Sequence, residues 1–196
     1  MIREFVVISN HGRTSGNFKD LMKAGRLDIV VHSIINAFFV SHAMRQDVRL
    51  HILLKGPPDP VKHIEFFYHP EMPISKKDVG NLLRSTLWKY KPGKVVQAFP
   101  GINIEKKSLN VLIKELVSQG KEIFILDRRG ENLETLKFKN PVFVIGDHEG
   151  IQKQDMKFLK QYAKCKISLG KVEYFTSQCI TIINYLLDKR QFERKI

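Results

Sequence analysis

Asn140 to Asp155 reads NPVFVIGDHEGIQKQD, and the choice of fold turns on this stretch. The apolar run Val142–Ile145 is too short for a helix and rich in β-branched residues, so it reads as a buried strand. It stops at Gly146-Asp147-His148-Glu149-Gly150, two glycines around three polar residues. A helical pattern then runs from about Gln152 to Ala163. Strand, glycine turn, helix is the repeating unit of a layered α/β protein. The polar triplet itself promises less than its composition suggests. Side chains of three consecutive residues diverge, so Asp147, His148 and Glu149 cannot share a metal ion or form an acid–base triad. Gly146 and Gly150 match neither the phosphate loop of nucleotide hydrolases nor the dinucleotide fingerprint, which need more residues at fixed offsets. The plain alternative is a turn in which Asp147 or Glu149 favours the N-terminus of the next helix.

The same alternation extends in both directions. Upstream, Glu4–Ser9 is a strand, followed by the polar loop NHGRTSGNFKDLMKAGR, a helix over Asp28–Met44 and a strand over Arg49–Leu54 closed by KGPPDP. HIEFFY is a third strand. Ser75-Lys76-Lys77-Asp78 resembles a capping box opening a helix to about Tyr90, and KVVQAF is a strand before Pro100-Gly101. From Ser108, apolar Leu109, Leu112, Ile113, Leu116 and Val117 fall on one helical face that ends at Gly120. EIFILD is a strand, CKISLG another, and Phe175–Leu187 a last helix, apolar on most sides and therefore buried in the core or against a second subunit. This predicts one α/β domain over residues 1–196: a mostly parallel sheet with helices on both faces.

Composition narrows the function classes. With 33 Lys+Arg against 20 Asp+Glu the net charge is +13 and the pI about 9.8. The excess is spread over both halves of the chain, which suits a folded surface for a polyanion such as RNA. No stretch has the apolar length of a membrane span, and the N-terminus enters a strand at once, so a cytoplasmic location is expected. Cys165 and Cys179 have no metal-ligand spacing, and no metal is expected.

Ligands of open α/β sheets bind at the carboxyl ends of parallel strands. Three such ends carry Gly and polar residues: FILDRRG (Phe124–Gly130), VIGDHEG (Val144–Gly150) and ISLGKVEYFTSQC (Ile167–Cys179). FVIGDHEG followed by ISLGKVEYFTSQCITIINYLL resembles the SPOUT class of S-adenosylmethionine-dependent RNA methyltransferases. With NHGRTSG, LLKGPPDP and LLRSTLWKY, the chain is similar nearly end to end to the archaeal tRNA methyltransferases that act on N1 of pseudouridine 54. The resemblance implies a C-terminal trefoil knot over about residues 121–196, a homodimer packed through it, and a bent S-adenosylmethionine between the three loops. It assigns the cofactor to Leu126, Gly146, Leu169, Gly170, Lys171, Val172, Glu173, Tyr174 and Cys179. Glycine at 146 and 170 permits close backbone approach. Leu126 and Leu169 supply apolar walls, although ordinary core packing explains them as well. Cys179 is expected as a contact, not a nucleophile.

Methylation of N1 requires alignment of base and methyl group and removal of one proton. Asp59, framed by Pro57, Pro58 and Pro60, is the candidate general base, and Asp147 a weaker one. Arg13 and Arg84 are candidates for holding RNA, with Asn10, His11 and Thr14 near by in the sequence. A T-loop nucleotide must be extruded to be reached, and Trp88 or Tyr174 is placed to stack on it. Two alternatives remain at this level: a pseudouridine methyltransferase of ribosomal RNA acting in ribosome assembly, and a non-catalytic RNA-binding protein on the same fold.

Overall fold

The computed structural model describes residues 2–193. Its elements in chain order are β1 (Arg3–Ser9), α1 (Leu27–Phe38), β2 (Val48–Leu54), β3 (Lys62–Phe67), α2 (Val79–Trp88), β4 (Val96–Phe99) and β5 (Ile102–Lys106). There follow α3 (Leu109–Ser118), β6 (Glu122–Asn132), a 3-10 turn (Leu133–Thr135), β7 (Pro141–Gly146), α4 (Lys153–Leu159), β8 (Ala163–Ser168) and α5 (Thr176–Glu193). All eight strands form one sheet in the order β4-β5-β3-β2-β1-β7-β6-β8. From β2 to β8 every pairing is parallel, while β3, β5 and β4 add on antiparallel.

The period-two alternation of the strands divides their side chains between two cores. On one face Phe5, Val7, Leu50, Ile52, Phe143 and Phe124 pack with α1, α2 and α5. On the other Val6, Ile8, Leu53, Val142, Val144, Ile123 and Ile125 pack with α3 and α4. Helices therefore cover both faces, as parallel strands require. Among the described residues no helix is long and apolar enough to cross a membrane.

Two polar networks cross this frame. Buried Arg3 reaches Asp47 at 2.8 Å, Asp188 at 2.7 Å and the Asn184 carbonyl at 3.2 Å. Arg45 joins Asp188 at 2.6 Å, so α5 is tied to the start of the central strand. On the α3 side, Lys121 meets Glu4 at 2.5 Å and Glu4 meets His51 at 2.8 Å. His51 Nδ1 lies 2.8 Å from His63 Nε2, and His63 Nδ1 lies 3.0 Å from Glu105. Burial pushes the His63 imidazole below its usual value, and the Glu105 contact does not reverse this.

Several boundaries differ from expectation. The first helix ends at Phe38, not Met44: Phe39 is extended and forms an antiparallel bridge with Met44, a turn that delivers Arg45 to Asp188. The expected capping box does not form. The helix starts at Val79, and the Asp78 side chain gives no cap because it accepts from Asn81. Strand β5 had not been expected, since only Ile102 and Ile104 mark its inner face. The helix after Gly150 is shorter, Lys153–Leu159. The last helix is longer, and Phe175 precedes it, largely exposed.

Candidate active site

Because β2, β1, β7, β6 and β8 run parallel, their five following loops share one edge of the sheet, in that order. They are 55–61, 10–18, 147–150, 127–130 and 169–175. At about 4.8 Å per strand, the ends of β2 and β8 lie roughly 19 Å apart. All the residues assigned from sequence to cofactor, apart from Cys179 on α5, lie on the last three loops or the strand ends that feed them.

The loop after β7 is the hinge of this edge. Asp147, 8% exposed, accepts from the Asn10 amide at 2.6 Å, from Asn10 Nδ2 at 3.0 Å and from the Glu149 amide at 3.0 Å. Asn10 Nδ2 also donates to the Gly150 carbonyl at 3.0 Å, and His11 meets Glu149 at 2.8 Å. The polar triplet thus holds the loop after β1, not the next helix. Gly146 is required sterically, since a Cβ there would lie 2.7 Å from the Gly150 Cα. Thr176 donates to the Gly146 carbonyl at 2.9 Å, which fixes the start of α5 to the same point.

The other two loops are open. Strand β6 leaves its partner after Leu126 and returns at Glu131, both opposite Ile167, so Asp127–Gly130 bulges out. Gly130 lies directly on Ile167, with room for no side chain. Asp127 is taken by Lys166 and by the Arg129 amide. Leu126 and Leu169 are half-buried, while Gly170 to Tyr174 are exposed. Gly170 has φ +111, and a Cβ there would meet nothing within 4 Å. Two half-buried leucines beside an exposed loop with an open glycine fit an adenine-bearing cofactor. Cys179 is 6% exposed, and burial pushes its thiol up to about 11. At pH 7 it is neutral and no nucleophile.

At the other end of the edge, the loops after β1 and β2 are sewn together. Lys55 donates to Ser9, Gly56 to the Gly12 carbonyl at 3.0 Å, and Thr14 to the Pro57 carbonyl at 2.9 Å. Buried Thr14 also accepts from the Asp59 amide at 2.9 Å through Oγ1. Gly16 lies under Trp88, where a Cβ would be 2.5 Å from the indole. The sequence motifs NHGRTSG, LLKGPPDP and LLRSTLWKY are therefore one structural unit. Asp59 is half-exposed and paired with both Lys62 and Lys106. Hydrogen bonds from Lys106 and Lys62 bring its carboxyl down to about 2. Arg13 bonds Ser15 at 3.2 Å, and the Arg84 guanidinium sits 5.1 Å from the Phe18 ring centre. Trp88 is 64% exposed. Among the described residues no group of three or more His, Cys, Asp or Glu is placed to hold a metal ion.

The sequence gives no sign of Lys62 and Lys106 as partners of Asp59, and Asn10, named there beside Arg13, turns out to be the partner of Asp147. Lys106 was hidden with the strand that carries it. Sequence reading also passed over Arg128, Arg129 and Ser168, although the consecutive arginines at a strand end were a legible signal.

A profile of a family described as putative SAM-dependent RNA methyltransferases matches residues 2–192. The chain is 34% identical over 201 aligned residues to the tRNA (pseudouridine(54)-N(1))-methyltransferase of Methanocaldococcus jannaschii, covering 97% of this chain and 98% of that one. It is 32% identical over 204 residues to the enzyme of the same name from Methanosarcina acetivorans, covering 98% and 94%. Among solved structures, Archaeoglobus fulgidus Nep1 bound to S-adenosylhomocysteine shares the fold, with a TM-score of 0.66 at 13% identity, over 96% of this chain and 98% of that one.

Proposed function

The chain belongs to the family of putative S-adenosylmethionine-dependent RNA methyltransferases, and from that premise we propose that it methylates N1 of pseudouridine 54 in tRNA. The observation that carries this reading is full-length identity above 30% to enzymes of that name. The geometry supports it, because three loops stand together at the carboxyl edge of a parallel sheet, with Leu126 and Leu169 half-buried beside them. A ribosomal RNA substrate and a non-catalytic role have no comparable support. The site of action is the cytoplasm, where tRNA is modified.

S-adenosylmethionine supplies the electrophilic methyl group, so the protein's own work is to hold, align and deprotonate. Leu126, Gly146, Leu169, Gly170, Lys171, Val172, Glu173, Tyr174 and Cys179 form the cofactor slot, chiefly through backbone and apolar contacts. Asp59 accepts the N1–H of the base. A carboxylate held near 2 is a weak proton acceptor, so its contribution falls at the low end of roughly 10²–10⁴-fold. Arg13 and Arg84 hold the RNA, and exposed Trp88 offers a stacking face for an extruded nucleotide.

The trefoil knot belongs to this reading. Helix α5 runs between α1, where Thr181 bonds Asn36 at 2.7 Å, and the segment after β6, where Arg190 bonds the Leu133 and Glu134 carbonyls. The homodimer does too, since Val172, Tyr174, Phe175 and Tyr185 leave apolar surface exposed.

Mass spectrometry of nucleosides from tRNA carrying pseudouridine 54, incubated with isotope-labelled cofactor, tests the activity. Methylpseudouridine at that position is expected. Label only in ribosomal RNA, or none in either RNA, would sink the proposal. Asp59→Asn is expected to lower turnover about a hundredfold with cofactor affinity unchanged; wild-type turnover would remove Asp59 from its role.

A further inference from the structure

A cavity of about 400 Å³ opens between the loops after β6 and β8, lined by Arg128, Arg129, Ser168, Gly170 and Lys171. Three of these five residues are cations and none is an acid. Arg129 and Lys171 are exposed and make no ion pair among the described residues. Arg128 reaches Glu173 at 2.9 Å, but both side chains are mostly exposed, and such a pair is worth less than about 1 kcal/mol. The neighbouring carboxylate of Asp127 is turned to Lys166. Ser168, 8% exposed, forms the floor and accepts from the Gly170 amide at 3.1 Å. The cations stand on a fixed base, because Gly130 is seated on Ile167 and both ends of the Arg128-Arg129 bulge pair with that residue.

We propose that the Arg128-Arg129 side of this cavity receives a backbone phosphate of the RNA, and that the phosphate is what lets the cationic cofactor settle in the slot with which the cavity shares Gly170 and Lys171. The proposal rests on the methyltransferase reading and goes beyond it, because it couples the two substrates through one cluster. S-adenosylmethionine carries two positive charges, sulfonium and ammonium, against one carboxylate. Its product has lost the sulfonium charge. Cations on two of the three loops that form the slot lie within a Debye length of it and oppose the sulfonium. An RNA phosphate cancels that opposition, and guanidinium groups bind phosphate in bidentate fashion. One cofactor carboxylate needs one cation, whereas three cations at a solvent-facing rim suit a polyanion. By linkage, RNA then tightens the cofactor by the same factor as the cofactor tightens RNA.

Calorimetry of the full-length protein decides this, with S-adenosylmethionine and S-adenosylhomocysteine titrated with and without a T-arm hairpin carrying pseudouridine. In the wild type the RNA is expected to tighten S-adenosylmethionine at least about fivefold and S-adenosylhomocysteine less. In the double variant Arg128→Gln/Arg129→Gln, which leaves every residue of the cofactor slot in place, that coupling is expected to fall towards one. RNA affinity should drop about tenfold near 0.1 M salt, with a salt slope shallower by roughly 0.7–0.9 for the one phosphate lost. The charge-conserving pair Arg128→Lys/Arg129→Lys is expected to keep most of the coupling, which separates lost charge from a lost fold. Unchanged coupling and RNA affinity in the Gln variant would overturn the proposal. So would weaker cofactor binding in the absence of RNA, which would give the cavity to the cofactor carboxylate. Either result leaves the methyltransferase reading standing, whereas a wild-type protein that binds neither partner would remove both.

Discussion

The two ends of the carboxyl edge are built on opposite principles, and their glycines show it. Around the loops after β1 and β2, glycine is needed because there is no space: a Cβ on Gly25 or Gly56 would fall on the His11 carbonyl. After β7 and β8, Gly150 and Gly170 have positive φ but nothing within 4 Å of the missing Cβ. The first end is set by packing before any ligand arrives. The second is packed as tightly at its base, at Gly130 and Gly146, but its outer turns keep their shape by backbone conformation and leave volume free. A site that takes a large folded RNA and a small cofactor gains from this division, with a rigid platform beside an open slot.

Gly56→Ala is the strongest attack on the contrast. The clash is with backbone on both sides and cannot be relieved by a rotamer, so a loss of about 3 kcal/mol is expected in chemical denaturation. A wild-type midpoint would mean that the sewn loops are softer than their geometry. Gly170→Ala has room for its methyl and meets only the conformational penalty at φ +111, about 1–2 kcal/mol. Its larger consequence should be weaker cofactor binding; if the stability loss instead matched that of Gly56→Ala, the open-slot description would fail.

Acid sharpens the comparison further, with the smallest effect. Buried His63 has a lowered value in the folded chain, against 6.5 unfolded. The unfolded state therefore takes up the proton first, and stability falls as pH drops below about 6.5 towards the folded value. The melting temperature should decline from pH 7 to pH 5, and His63→Gln should flatten that decline. An equal slope in both proteins would assign the acid sensitivity elsewhere. The His63 network spans β1, β2, β3 and β5, so the loss should loosen the rigid end of the edge before the open one.

Much of this was legible in the sequence because it depended on local pattern. The strand at Val142–Ile145 and its glycine stop were read correctly, and so was the helical face from Leu109 to Leu116. Convergence of the three C-terminal loops followed from parallel strands alone. What escaped depended on distant partners. Asp147 was weighed as a helix-capping turn or a base, yet its oxygens answer Asn10, 137 positions away. Apolar Phe39 and Met44 continued the helical period, but the chain turns there to bring Arg45 to Asp188. Strand β5 offers two inward isoleucines and then Glu105 and Lys106, too little for a period-two signal, and with it went the second lysine on Asp59.

The bulge at Asp127–Gly130 has a consequence for how such a protein can change. Leu126 and Glu131 both face Ile167, so the four residues between them leave the ladder at one residue of β8, with Lys166 and Ser168 beside it holding Asp127 and the Arg128 carbonyl. Exchanging the Arg128 or Arg129 side chain shifts the register of no strand, whereas Gly130 is constrained by its seat on Ile167 and Asp127 by Lys166 and the Arg129 amide. Heritable variation can therefore alter the rim chemistry at two adjacent positions with little consequence for folding.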